Sequence, residues 1–296
     1  MELLGRAEPV LRAAAVLGEG PRWDAGGERL LWVDIEAGQV HVLDPSAGTD
    51  QVVSCGAKVG AVAPWAGDVV LAALAGSLAR VDLASGTVEP LVGLPGAGPG
   101  RRTNDGACDP HGRFWIGTMA EDHAAGAGAL HRYDPDGALD TVLTDLTLPN
   151  GLGWDPTGRR MHFIDSPTRR IDVLDLDPAT GAVQARRPWA TIPDGDGTPD
   201  GLAIDDEGGV WVALHGAGEV RRFSPDGRAV ARVEVPAEQV TACCFGGPGG
   251  RRLFITTATE GMSDAERARR PLAGAVFAVD VDVSGPPARP FGGRAG

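Results

Sequence analysis

Four oxygen-bearing residues, Glu19, Asn104, Asn150 and Asp200, stand in one phase of a repeating frame. Each lies five residues before the Asp of an apolar-Asp-x-x-Gly segment, namely Asp24, Asp109, Asp155 and Asp205. The same step reaches Val59 and Thr241 in two further copies of the frame. Two carboxylates and two carboxamides offer only hard oxygens. That set suits Ca²⁺, Mg²⁺, Mn²⁺ or a similar divalent cation, with water completing the shell. No Cys or His is in phase, so a closed structural zinc site does not fit. A cation held with open positions can polarise a carbonyl or phosphoryl oxygen. The plain alternative is turn chemistry, since Asn-Gly and Asp-Gly are common turn signals. Glu19 is not a turn former, and four such residues in phase favour a site.

The elements that must position these residues follow from the repeats. The first signature occurs as WDAGGERLLWV from Trp23, CDPHGRFWIG from Cys108, WDPTGRRMHFI from Trp154 and IDDEGGVWVA from Ile204. Weaker copies begin at Ala63 and Phe245. Each is followed by a second signature, such as GQVHVLDP from Gly38 or GALHRYDPDG from Gly128. The DPDG and SPDG segments are turns, because Pro presets φ and Gly supplies positive φ. Between turns the apolar runs are short and often alternate, which is the strand signal. Each repeat reads as a small antiparallel sheet of about four strands. Such a sheet cannot bury both faces alone, but six arranged radially can. The expected fold class is all-β, a six-bladed β-propeller with a central metal site. Equivalent positions of the blades then meet around one axis. Residues 1–296 read as a single domain, with segment 8–17 supplying an outer strand that closes the last blade. Pro236–Val240 and Ser263–Arg270 are the two short helix candidates.

Composition sets the outer bounds. The formal net charge of −13 argues against nucleic acid as a partner. No basic segment followed by an apolar run marks a signal peptide, and Ala13–Leu17 is too short to span a membrane. The expectation is a cytoplasmic protein with Cys55, Cys108, Cys243 and Cys244 as reduced thiols. Cys243 and Cys244 read as alternate-facing strand residues rather than a vicinal disulfide. The tryptophans read as core. His41, His111, His131 and His162 read as exposed, and His123 and His215 are the histidines that could touch a ligand. The run Arg267, Arg269, Arg270 reads as a solvated face. The tail 286–296 reads as irregular and poorly ordered.

The ordered set of motifs resembles the SMP-30/gluconolactonase/LRE family. The carrying stretches are LGEGPRWD (17–24), LLWVDIEAGQVH (30–41), RTNDGACDPHGRFWIGTMAE (102–121), LPNGLGWD (148–155), FIDS (163–166), TPDGLAID (198–205) and CCFGG (243–247). The resemblance implies one divalent metal ion (Ca²⁺, Zn²⁺, Mg²⁺, Mn²⁺ or Fe²⁺) held by Glu19, Asn150 and Asp200. It also implies that Asn104 contacts substrate or a water on the metal, and that Arg102 and Glu121 contact sugar hydroxyls. The implied reaction is hydrolysis of a small sugar lactone to its aldonic acid, with the cation on the ester carbonyl. Asp200 is the expected general base. A carboxylate beside a cation has a low pKa, which leaves a metal-held water as the alternative nucleophile. The small-residue segment 121–128 would form a lid. Rival readings are phosphotriester hydrolysis on the same scaffold, a non-enzymatic calcium binder and an interaction scaffold.

Overall fold

The computed structural model describes residues 1–293, and in it the six repeats form six sheets. Blade one runs Gly18–Asp24, Arg29–Asp34, Gln39–Asp44 and Thr49–Ser54, each strand antiparallel to the one before. Blades two to six begin at Val59–Ala66, Arg101–Cys108, Pro149–Trp154, Thr198–Ile204 and Val240–Gly246. These first strands pack against one another in order, and the sixth packs on the first, so the ring is closed. The fold is a six-bladed β-propeller.

Two strands come from the N-terminal segment. Glu8–Leu11 pairs antiparallel with Val276–Asp280 and is the outer strand of blade six. Glu2–Arg6 adds parallel to Ala229–Glu234 as a fifth strand on blade five. The sequence gives no turn signal for that parallel addition. Ser263 caps the short helix Asp264–Arg269, with Glu266 bonding back in a capping box. Pro236–Val240 forms no helix: only Val240 is in a strand, and residues 236–238 are a bend.

The recurrent Asp of the first signature organises the turn between the first and second strands. Asp205 accepts from the Glu207 and Gly209 N–H groups, from the Trp211 indole at 2.9 Å and from Arg222 Nε at 2.8 Å. Asp109 does the same for His111, Arg113 and the Trp115 indole. Trp115 and Trp211 are fully buried, so their N–H groups need these carboxylates. Asp205→Ala would strand an indole and two backbone donors and take from Arg222 one of its two carboxylate partners, leaving it Glu207. The expected loss is about 3–5 kcal/mol, the range for breaking a buried charged network. It is checked by the urea midpoint at unchanged m-value.

Three expectations fail on burial. His41, His131 and His162 are 7%, 1% and 6% exposed rather than on the surface. Each is held by its own blade: His41 stacks on Trp32 and bonds Asp50, His131 sits between the hydroxyls of Thr118 and Thr141, and His162 packs edge-on to Trp189. Burial lowers the pKa of His131 and of His162 to about 4, which keeps both neutral. The tail 286–293 is irregular but pinned. The Ala288 N–H bonds Trp23 O, the Phe291 N–H bonds Pro64 O, and the Phe291 ring packs between Trp65 and Tyr133. Residues 294–296 of that tail lie outside the described residues. All four cysteines are free and buried, with Cys243 packed toward Trp211 and Cys244 toward Trp23. Among the described residues no helix is long and apolar enough to cross a membrane.

Candidate metal centre at the propeller axis

Every first strand carries a break in its pairing register at the same height. The shifts fall between Glu19 and Arg22, Val59 and Ala61, Thr103 and Gly106, Pro149 and Leu152, Pro199 and Leu202, and Val240 and Ala242. Asn104, Asn150, Asp200 and Thr241 stand inside these gaps, and Glu19 stands at the edge of its own. A bulge frees residues from the pleat and re-aims their side chains. This is the local reason that polar side chains of five of the six blades turn toward the ring interior, blade two carrying Val59 instead. The glycines beside them let neighbouring strands approach. A Cβ on Gly151 would lie 2.6 Å from Asp200 O, and one on Gly60 would lie 2.5 Å from Asn104 O.

The site is buried and acidic. Glu19, Asn104, Asn150 and Asp200 are 4%, 4%, 3% and 9% exposed. Asn104 Nδ2 donates to Asn150 Oδ1 at 2.9 Å and to Pro149 O, while its Oδ1 accepts from Arg102. Asn150 Nδ2 donates to Ser166 Oγ at 2.9 Å, and Ser166 Oγ donates to Pro199 O. Ser166 therefore fixes which end of the Asn150 amide faces the cluster. Glu19 accepts from the Gly20 N–H. Asp200 Oδ1 is buried with no hydrogen-bond partner. Thr241 bonds Gly18 O and the Thr256 hydroxyl, and so closes the ring between blades six and one.

A third carboxylate, Asp105, belongs to the same cluster. It shares the gap of blade three with Asn104, and its Oδ1 accepts from Gly106 N–H and from Arg22 Nη2 at 2.9 Å. Burial, then the charge of Asp105, pushes Glu19 up to about 8. Burial, then the charges of Glu19 and Asp105, raises Asp200 well above the usual carboxylate range. Burial raises Asp105 too, against the pull of Arg22. Arg22 and Asp105 were not singled out in the sequence. The NDG triplet at 104–106 reads as a turn until the bulge shows two polar side chains freed in one gap.

These residues fit a hard divalent cation. Among the described residues no group of three or more His, Cys, Asp or Glu side chains forms a metal cage, so a cation held here would need a carboxamide among its ligands. Glu19, Asp200 and the oriented Asn150 Oδ1 would supply such a mixed oxygen set. The orphaned Asp200 oxygen and the mutual repulsion of the carboxylates are what a cation would relieve.

Around the cluster, Arg102 is 7% exposed, and its Nη1 bonds both Thr103 O and Asn104 Oδ1. Glu121 lies at the exposed end of the neighbouring strand, paired with Lys58 at 3.0 Å. The segment 121–127 is an exposed loop tied down at its far end, where Ala127 O accepts from both Arg101 Nη atoms. His123 is in this loop. His215 ends the second strand of blade five, where burial lowers its pKa. A cavity of about 870 Å³ opens elsewhere, lined by Trp23, Trp154, Ile204 and Phe245 at the far ends of the inner strands and by the tail. None of the four ring residues lines it.

A six-bladed propeller with an acidic, oxygen-lined cluster on its axis defines the class. Residues 17–259 match the model of the SMP-30/Gluconolactonase/LRE-like region, and the chain belongs to that family. It is 35% identical over 284 residues to the pentonolactonase XacC of Haloferax volcanii, covering 94% of this chain and 95% of that one. It is 34% identical over 278 residues to a 6-deoxy-6-sulfogluconolactonase of Pseudomonas putida, covering 93% and 95%. The crystal structure of a calcium-binding regucalcin of Agrobacterium tumefaciens superposes with a TM-score of 0.94 at 29% identity, covering 98% and 99%.

Proposed function

We propose that this chain hydrolyses a sugar lactone to its aldonic acid with the help of one divalent cation at Glu19, Asn150 and Asp200. The observation that carries the reading is the orphaned, buried Asp200 oxygen beside Glu19 in the axial cluster. The lactonases among its relatives and a calcium-binding relative support it. The cluster draws on blades one, three, four and five together, so the whole ring acts as one unit. When bound, the cation supplies Lewis acidity at the ester carbonyl oxygen. Asp200 acts as a base in its ionised form, which the charge of Arg102 favours and a bound cation would favour further. Asp200 takes a proton from the attacking water as its oxygen bonds to the carbonyl carbon. The ring C–O bond then breaks, and the proton passes from Asp200 to the departing ring oxygen. Arg102 and Asn104, locked to each other, and Glu121 at the mouth orient the sugar hydroxyls.

The test uses chelator-stripped protein and a panel of aldonolactones plus one organophosphate triester. Ca²⁺, Mg²⁺, Mn²⁺, Zn²⁺ and Fe²⁺ are restored singly, and proton release is followed. Cation-dependent hydrolysis of a lactone is the expected result. Turnover of the triester alone, or of nothing by folded protein, would overturn the reading.

A further inference from the structure

Blade two breaks the pattern of the ring. Its phase position is Val59, an apolar and fully buried residue that can neither ligate nor hydrogen-bond. The residue before it is Lys58. Its ammonium lies 3.0 Å from Glu36 Oε2 and 3.0 Å from Glu121 Oε1. Glu36 follows the second strand of blade one, and Glu121 follows the second strand of blade three. One cation thus ties three successive blades at the end of the channel that carries the axial cluster. The backbone beneath it is fixed: Lys58 O accepts from the Ala75 N–H, and the Gly60 N–H donates to the Thr103 hydroxyl. Burial works against the Lys58 charge, but the two carboxylates outweigh it and hold the ammonium above its ordinary value.

We infer that Lys58 is the positioning residue for Glu121, holding that carboxylate in place to accept hydrogen bonds from the distal hydroxyls of a polyhydroxylated substrate. The inference rests on the lactonase reading for the reaction, but its claim concerns hydroxyl recognition. Lys58, Glu36 and Glu121 keep 31%, 26% and 39% of their side-chain surface, so the network adds little to stability. Its effect is directional. Two carboxylates drawn from opposite sides leave the ammonium little freedom to swing, and one Glu121 oxygen is engaged while the other stays available. A substrate without hydroxyls gains nothing from this arrangement. A sugar lactone loses a charge-assisted hydrogen bond when it is dismantled.

The test compares wild type, Lys58→Met, Lys58→Arg and Glu121→Gln as full chains loaded with Mn²⁺. Two lactones are used: D-glucono-δ-lactone, which carries hydroxyls, and δ-valerolactone, which has none. Lys58→Met is expected to raise KM for gluconolactone about tenfold, the scale of one hydrogen bond to a charged group. Its kcat should stay within about threefold, and its δ-valerolactone kinetics and Mn²⁺ affinity should match wild type. Lys58→Arg, which keeps both ion pairs, should restore most of the KM. Equal losses on both lactones, or an unchanged gluconolactone KM, would overturn the assignment. Should Lys58→Met fail to fold, Glu36→Gln frees one side of the ammonium and should shift the same KM in the same direction. A calorimetric titration with D-glucitol, which has the hydroxyls and no ester, separates the two readings. Wild-type protein inactive on both lactones sinks the lactonase reading. In that case glucitol binding weakened alike in Lys58→Met and Glu121→Gln still supports the role of Lys58. Glucitol binding equal in wild type and Lys58→Met, or absent from both, overturns it.

Discussion

Asp200→Asn is expected to lower lactone turnover by about 10³-fold or more, the largest single effect of any substitution in this chain. The exchange keeps the volume of the side chain and removes its charge. It takes away the proposed proton acceptor and one of the two proposed anionic ligands at once. The fold should hold, because Asp200 Oδ1 bonds to no protein group. Asp136→Asn is the matched control, the same exchange at an exposed outer turn of blade three, away from the axial cluster. Its activity should stay within about twofold of wild type, as surface changes away from a site do. Initial rates on the preferred lactone, with cation at saturation, decide it. An Asp200→Asn enzyme that keeps a tenth of its activity would remove Asp200 from both proposed roles.

The cation-free chain should lose stability as the pH rises. Glu19, ordinarily at 4.5, is pushed up to about 8 by burial and then by Asp105. The folded state therefore holds the proton more tightly than the unfolded one. That contribution is complete below about pH 4.5 and is lost as the pH climbs to about 8. The gap corresponds to several kcal/mol, on the order of 5. Asp200 and Asp105 shift in the same direction and deepen the loss. Below pH 6.5 the buried neutral His131 and His162 act oppositely, since the unfolded chain takes up their protons first. The clean window is therefore pH 6.5 to 8. Urea midpoints in chelator should fall across it. A saturating divalent cation should flatten the fall and add about 2.7 kcal/mol at a hundred times its Kd. Cation-free Asp200→Asn should be more stable than cation-free wild type at pH 8. Stability in chelator that is flat or rising from pH 6.5 to 8 would show that the three carboxylates are not crowded as described.

The ring phase was legible because it repeats: a bulge at a fixed distance before a fixed turn leaves a countable interval in the chain. Glu19, Asn104, Asn150 and Asp200 surfaced for that reason. Asp105 did not, since a bulge that frees two adjacent residues looks like an Asn-Asp-Gly turn when only spacing is visible. Ser166 acts on the Asn150 amide through one hydroxyl, and nothing in FIDS distinguishes it from a loop serine. Arg102 and Glu121 came only through family resemblance. The Lys58 contacts join residues 22 and 63 positions apart, and only the curvature of the ring brings them together. The three buried histidines were misplaced because strand alternation gives a side, while in a propeller both sides of a blade are packed.

The N-terminal strands set an order of events during synthesis. Leu3 pairs with Arg232, which emerges 232 − 3 = 229 residues later. At roughly 5–20 residues per second, that interval is on the order of ten to fifty seconds. Throughout it, residues 2–6 have no partner strand, and residues 8–11 wait longer still, for Val276–Asp280. Pairing at such sequence separation is slow to form, because the loop must close before any contact rewards it. The same lateness makes the closed ring hard to open, since freeing residues 2–11 undoes strand pairing in two blades before either end can come away. Resistance to unfolding in this chain is therefore a matter of rate as much as of equilibrium.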